Sequence, residues 1–178
     1  MAWLEKLKLG IIGCGTVAEK LHLPSIARCR DVQLTVVVDQ NTERRRRLAL
    51  RYNAPYEFED YSDIGARAEA VIVALPNHLH APVAIDLLRQ GLHVLVEKPM
   101  ALTVSDCDDM IEASVQNKAV LAVGMIRRFY RATHYVKTAL TNALLGRLID
   151  VSVNEGSVLS WNAATNYMFQ KSSSGGGV

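Results

Sequence analysis

From Lys8 to Met125 the chain alternates short β-branched runs with longer stretches of helical period, an alternation that points to βαβ units on a parallel sheet. A parallel sheet is covered on both faces, so its strands should read as continuous apolar runs. Leu7 to Ile12, Val32 to Val38, Ala70 to Leu75, Leu92 to Val96 and Ala119 to Gly124 do so. Helical segments are expected between them: Thr16 to Ala27, kinked or broken at Pro24; Asn41 or Thr42 through Arg51; Asn77 to Gln90; and the residues after Thr103. Asn77 can cap the third helix and Gly91 can end it in a left-handed residue. Thr103 with Asp106 resembles a capping box, and Val104, Cys107, Met110, Ile111 and Val115 form one apolar stripe on the helix after it. Ala54 to Asp60 reads as a short strand or a loop.

After Arg127 the character changes. Phe129 to Leu145 reads as a helix ended by Gly146, and Arg147 to Val153 alternates as a strand facing a second layer would. The stretch from Asn162 onward has no period and finishes in serines and glycines. A length of 178 residues holds one domain comfortably and leaves no room for two full ones. The expected division is therefore a complete domain over residues 1–125 and the start of another over 126–178.

Composition excludes several classes. Twenty Lys and Arg stand against eighteen Asp and Glu, far from the strongly basic balance of a nucleic-acid binder. With 49% hydrophobic and 21% charged residues the chain can build a core. It carries no apolar run of the roughly 18–20 residues that span a bilayer, so a cytoplasmic protein without a membrane partner is expected. Cys14, Cys29 and Cys107 are odd in number and lack paired spacing. Neither a disulfide framework nor a metal site is implied by them, and they read as core thiols.

The first strand ends in Gly13-Cys14-Gly15-Thr16-Val17-Ala18, a G-x-G-x-x-A turn opening a helix. Gly13 permits the tight turn, Gly15 lets backbone approach a pyrophosphate, and a small residue at Ala18 lets helix and strand pack closely. Thr16 and Val17 begin the helix whose unpaired N–H groups would face the phosphates. Such a turn is also good packing chemistry on its own. Asp39 decides between the two meanings, because it ends the second strand 21 residues past Ala18, where a carboxylate accepts hydrogen bonds from a ribose diol. It also repels a 2′-phosphate, which favours NAD and leaves NADP as the alternative. Arg44 to Arg47 oppose that preference, but successive helical residues point about 100° apart and cannot all face one ligand.

Two further segments are more distinctive: Val71 to His80, V-I-V-A-L-P-N-H-L-H, and Gly91 to Pro99, G-L-H-V-L-V-E-K-P. With these the chain resembles the glucose-fructose oxidoreductase, inositol dehydrogenase and rhizopine catabolism family (Gfo/Idh/MocA) of NAD(P)-dependent oxidoreductases. The resemblance runs from about Leu7 to about Asn154. It rests on the glycine loop, on Pro76, Asn77 and His80, on Glu97-Lys98-Pro99, on Arg128-Phe129 and on the turn around Leu145 and Gly146. It implies an α/β protein, a Rossmann doubly wound parallel sheet followed by an incomplete second α/β domain, and hydride transfer to or from a sugar, cyclitol or related polyol. Association with further copies is implied as well.

Lys98 sits just past the carboxyl end of a buried strand, where an ammonium beside a nicotinamide can share a substrate proton. The resemblance makes Lys98 the catalytic residue, with Glu97 beside it as orienter and both as cofactor contacts. Pro76, Asn77 and His80 border the nicotinamide ribose by the same resemblance, and Lys98–Pro99 is a candidate cis bond. His22, His93 and His134 have no motif partner and read as structural or solvent-facing, His78 as exposed, and Arg128 as an anchor before a substrate contact. Family members are about twice this long. Gly175-Gly176-Gly177-Val178 coincides with a glycine run that in the family precedes an Asp and a His beside the lysine, so weak or no turnover by this length of chain is expected. The alternatives are a dinucleotide-binding module without chemistry and a basic interaction domain built on the arginine run.

Overall fold

The computed structural model describes residues 5–154, 156 and 166–175. They fall into two compact units, 5–124 with 166–175, and 125–154 with Gly156. The first holds six parallel strands: β1 (Leu7–Ile12), β2 (Val32–Val38), β3 (Tyr56–Phe58), β4 (Ala70–Val73), β5 (His93–Val96) and β6 (Leu121–Val123). Their spatial order is β3-β2-β1-β4-β5-β6. The chain winds outward from β1 in one direction and then, through β4, in the other, the strand order of a Rossmann sheet. Reversal between β1 and β4 opens a crevice at the carboxyl edge.

Alternation along the strands divides the core between the two faces. Val36, Val38, Val71, Val73, Val94 and Val96 pack with Leu87 and Leu88 of α3 (His80–Arg89) and Met110 of α4 (Val104–Gln116). Ile11, Leu34, Val37 and Ile72 face the other way, against Leu23 and Ile26 of α1 (Leu23–Arg28) and Leu48 of α2 (Thr42–Tyr52). The continuous apolar runs result from this double coverage.

Local chemistry sets the helix ends. The Asn41 side chain accepts from the Arg44 N–H and that of Thr103 accepts from the Asp106 N–H, as N-caps do. Gly91, at φ +81°, comes just after α3. Pro24 does not break its helix. The turn before it, Ala18–His22, is π-helical, with the Leu23 N–H reaching back to the Ala18 carbonyl, and α1 then starts with Pro24 in its first turn, where a missing N–H costs nothing.

Four expectations are corrected. The apolar stripe on α4 does not face the core: Met110 is buried, while Val104, Ile111 and Val115 are exposed. Among the cysteines only Cys14 is a core thiol, since Cys29 is exposed and Cys107 half-buried. In the second unit the helix is shorter than expected, a 3-10 turn over Ile126–Phe129 and then α5 (Arg131–Thr141). Residues 147–153 form no strand, because none of the described residues pairs with them. The segment 166–175, by contrast, carries a 3-10 turn over Asn166–Phe169 and a short α6 (Lys171–Ser174), and it sits with the first unit. Residues 162–165 and 176–178 of the aperiodic end lie outside the described residues.

Candidate dinucleotide site

Four loops meet at the carboxyl edge of the sheet. The first comes after β1. Gly13 has φ +95°, and a Cβ on it would run into the Ala74 carbonyl of the loop after β4, so only glycine closes this turn. A Cβ on Gly15 would meet nothing within 4 Å. Its absence instead leaves open the approach that a pyrophosphate needs, and Thr16 and Val17 start the helix immediately behind it. The loop is pinned from below by the Gly13 N–H donating to the Val38 carbonyl at 2.8 Å.

Asp39 ends β2 beside that loop. One carboxylate oxygen, Oδ2, accepts from the Cys14 N–H at 2.6 Å and the other, Oδ1, from the Asn41 N–H at 2.7 Å. Each oxygen keeps lone-pair capacity for a ribose hydroxyl. The Cys14 thiol is pushed up to about 12 by burial and then by the Asp39 charge. At pH 8 the folded chain should therefore show a reactive Cys29 and an inert Cys14 toward a disulfide reagent. Mass-spectrometric mapping before and after denaturation checks this, and Cys14 labelled in the folded chain would contradict it.

The arginine run is largely committed to carboxylates. Arg45 is buried, its Nε on Glu57 at 2.6 Å and its guanidinium on the Asp39 carbonyl at 2.7 Å. Arg46 joins Glu57, and Arg47 forks onto Glu19. Only Arg45 is thus taken up within the fold; Arg46 and Arg47 pair with carboxylates at the surface, with side chains 72% and 46% exposed.

After β4, Pro76 precedes a 3-10 turn, Asn77–Leu79, that leads into α3. Asn77 does not cap the helix. Its Nδ2 donates to the Ser174 carbonyl at 2.8 Å, because the 3-10 turn places the start of α3 three residues later. His78 is exposed. His80 has no exposed surface, and its ring bridges two carbonyls, Pro99 at Nδ1 (2.7 Å) and Leu75 at Nε2 (2.8 Å). Both ring nitrogens are engaged, so its contribution is to brace this loop against the next.

The fourth loop comes after β5. Lys98 is exposed and its peptide bond to Pro99 is cis. Glu97 is not solvent-facing like its neighbour. Its Oε1 lies 2.8 Å from Nε2 of His22 and its Oε2 accepts from the Lys98 N–H at 3.1 Å. His22 therefore has a partner that the sequence did not disclose. No short-range signal could have disclosed it, because 75 residues separate the two. Burial alone would raise the Glu97 carboxyl, but the hydrogen bond from His22, that from Lys98 and their nearby charges hold it below its usual value of 4.5. A depressed carboxyl contributes stability that is present above its unfolded value and lost as pH falls through the folded one. Denaturation midpoints should thus fall below about pH 4.5, with a shallower fall in Glu97→Gln. An identical acid limb in the two proteins would contradict this.

A glycine turn after β1, a carboxylate at the end of β2 and a lysine just past β5 thus stand on the carboxyl edge of a sheet with Rossmann strand order. Residues 7–125 match the family described as "Oxidoreductase family, NAD-binding Rossmann fold" (GFO_IDH_MocA), and the chain belongs to it. It is 34% identical over 125 residues to scyllo-inositol 2-dehydrogenase (NADP(+)) IolU of Bacillus subtilis, an alignment covering 69% of this chain and 38% of that one. It is 28% identical over 169 residues to D-glucoside 3-dehydrogenase of Escherichia coli, covering 92% and 48%. Among solved structures, the WlbA dehydrogenase from Bordetella pertussis, in complex with NADH and UDP-GlcNAcA, superposes with a TM-score of 0.76 at 30% identity, covering 80% of this chain and 42% of that one. The chain thus spans half or less of the length of these relatives.

Proposed function

We propose that this chain is the dinucleotide-binding part of an NAD-dependent dehydrogenase acting on a secondary alcohol of a sugar, cyclitol or related polyol. The observation that supports it best is the gathering of Gly13–Val17, Asp39, Pro76–Asn77 and Glu97–Lys98 on one edge of the sheet, around the β1–β4 crevice. Gly15, Thr16 and Val17 would hold the pyrophosphate, Asp39 the adenosine ribose, and Pro76, Asn77, Glu97 and Lys98 the nicotinamide end, with His80 supporting from behind. The dinucleotide, when bound, supplies the hydride acceptor or donor. Lys98 would act as the base, its free amine taking the hydroxyl proton as the alcohol is oxidised to a carbonyl; in the reverse direction its ammonium would return the proton.

The names of the relatives support a polyol or sugar substrate, since the two curated ones act on an inositol and a glucoside. Among the described residues no helix is long and apolar enough to cross a membrane. A cytoplasmic protein that associates with copies of itself fits this reading, with Phe129, Tyr135, Leu145 and Ile149 exposed on the second unit.

Titration with NADH and with NADPH, followed by nicotinamide fluorescence, tests the reading directly. NADH should bind the more tightly, and Asp39→Ala should weaken it about 10–100-fold, the value of one to two charge-assisted hydrogen bonds, while NADPH is weakened less. Binding of neither dinucleotide would sink the proposal, and tighter NADPH binding by the unmutated chain would overturn the role given to Asp39.

A further inference from the structure

The Glu97 carboxylate is enclosed from three directions, and only one of them belongs to its own loop. His22 reaches it from the π-helical turn, with side-chain exposures of 17% and 18% for the pair. The Lys98 N–H holds the second oxygen. On the third side stands Gly124, just past β6, where a Cβ would lie 3.2–3.4 Å from the carboxylate atoms. Glycine there gives the group its room.

The π turn explains why His22 arrives. One residue more than an α-helical turn, it rotates the rest of the helix by about 100° relative to an uninterrupted one. Leu23 and Ile26 then enter the core while His22, one step earlier, meets the strand edge. Pro24 favours this arrangement because it offers no N–H to the preceding turn. The same helix begins at the glycine loop.

We propose that His22 is a positioning residue that ties the helix behind the dinucleotide loop to the turn carrying Lys98, through Glu97. The bond is made by Nε2–H onto the ionised carboxylate, whose other oxygen fixes the Lys98 backbone. Its effect is to set the distance between the pyrophosphate cradle and the lysine, two groups that otherwise sit on separate loops. The inference rests on the proposed roles of Lys98 and of the glycine loop. Among the described residues, Lys98 itself and Tyr167 of the 166–175 segment are the other titratable groups that act on Glu97.

The test compares the unmutated chain with His22→Ala and with His22→Gln, whose amide keeps a donor at similar reach. Glu97 is observed by carboxyl 13C NMR, its resonance assigned by loss in Glu97→Gln, and NADH affinity is measured by fluorescence. In His22→Ala the Glu97 carboxyl should titrate closer to its ordinary value and the NADH Kd should rise about 3–30-fold, while His22→Gln restores most of both. An NADH affinity left unchanged in folded His22→Ala would overturn the proposal, as would a Glu97 titration that His22→Ala does not move. Where His22→Ala fails to fold, His22→Phe, which fills the ring's space without a donor, takes its place with the same expected outcomes. Absence of NADH binding by the unmutated chain would instead strike the functional reading, and the Glu97 titration would still decide whether His22 holds the turn.

Discussion

Replacing Gly13 with alanine is expected to destabilise the folded chain by about 2–5 kcal/mol and to abolish dinucleotide binding. A residue with a Cβ is strained at φ +95°, by about 1–2 kcal/mol, and the added carbon collides with the Ala74 backbone, which is fixed by its own N–H bond to the Ile12 carbonyl. Relief requires β1 and the loop after β4 to part, which disturbs the centre of the sheet. Gly15→Ala separates fold from ligand. With nothing within 4 Å of its Cβ, that variant should unfold at nearly the denaturant concentration of the parent but bind NADH at least ten-fold more weakly. Urea denaturation and NADH titration of the two variants check both statements. A stable Gly13→Ala protein, or Gly15→Ala with parental affinity, would show that the two glycines have been given the wrong tasks.

The parallel sheet was legible because its inner strands β1, β2 and β4 are buried on both faces and flanked by residues that stop a helix or start one, whereas the part-exposed edge strand β3 reads as strand or loop. Gly91 could be placed because a helix end followed by a left-handed residue is a local event, and Thr103 because a cap is made three residues away. Motif residues were legible for a related reason: the ends of β1, β2, β4 and β5 all lie on one edge once the order of strands is known, and the glycine turn identifies that edge.

What escaped the sequence depends on pairs of groups that meet only in the folded chain. Asn77 has the chemistry of a cap, yet its amide is used by the Ser174 carbonyl, 97 residues away. His80 carries a family motif and turns out to be a buried brace between two loops. The α4 stripe misled because periodicity reports an apolar face without reporting what covers it, and here Met110 and Ala113 serve the core while Ile111 and Val115 remain outside. Residues 147–153 alternate as a strand does, but alternation supplies only side chains; a strand also needs a hydrogen-bonded neighbour.

Lys98→Met should abolish the weak alcohol oxidation that this length of chain supports, since general acid–base catalysis is usually worth about 10²–10⁴-fold. NADH affinity should change far less, because the contacts proposed for the pyrophosphate and the adenosine ribose lie on other loops. The rate is read as NADH appearance at saturating NAD and alcohol, with a panel of inositols, glucosides and free sugars. Lys98→Arg makes the test specific. Arginine keeps the positive charge and the hydrogen-bond donors but does not give up a proton in a protein, so it should fall nearly as far as methionine if proton transfer is the function. If the lysine serves only to polarise the substrate oxygen, arginine should retain much of the rate, and the proton acceptor must then be sought elsewhere. Equal rates in all three proteins would remove Lys98 from the chemistry altogether.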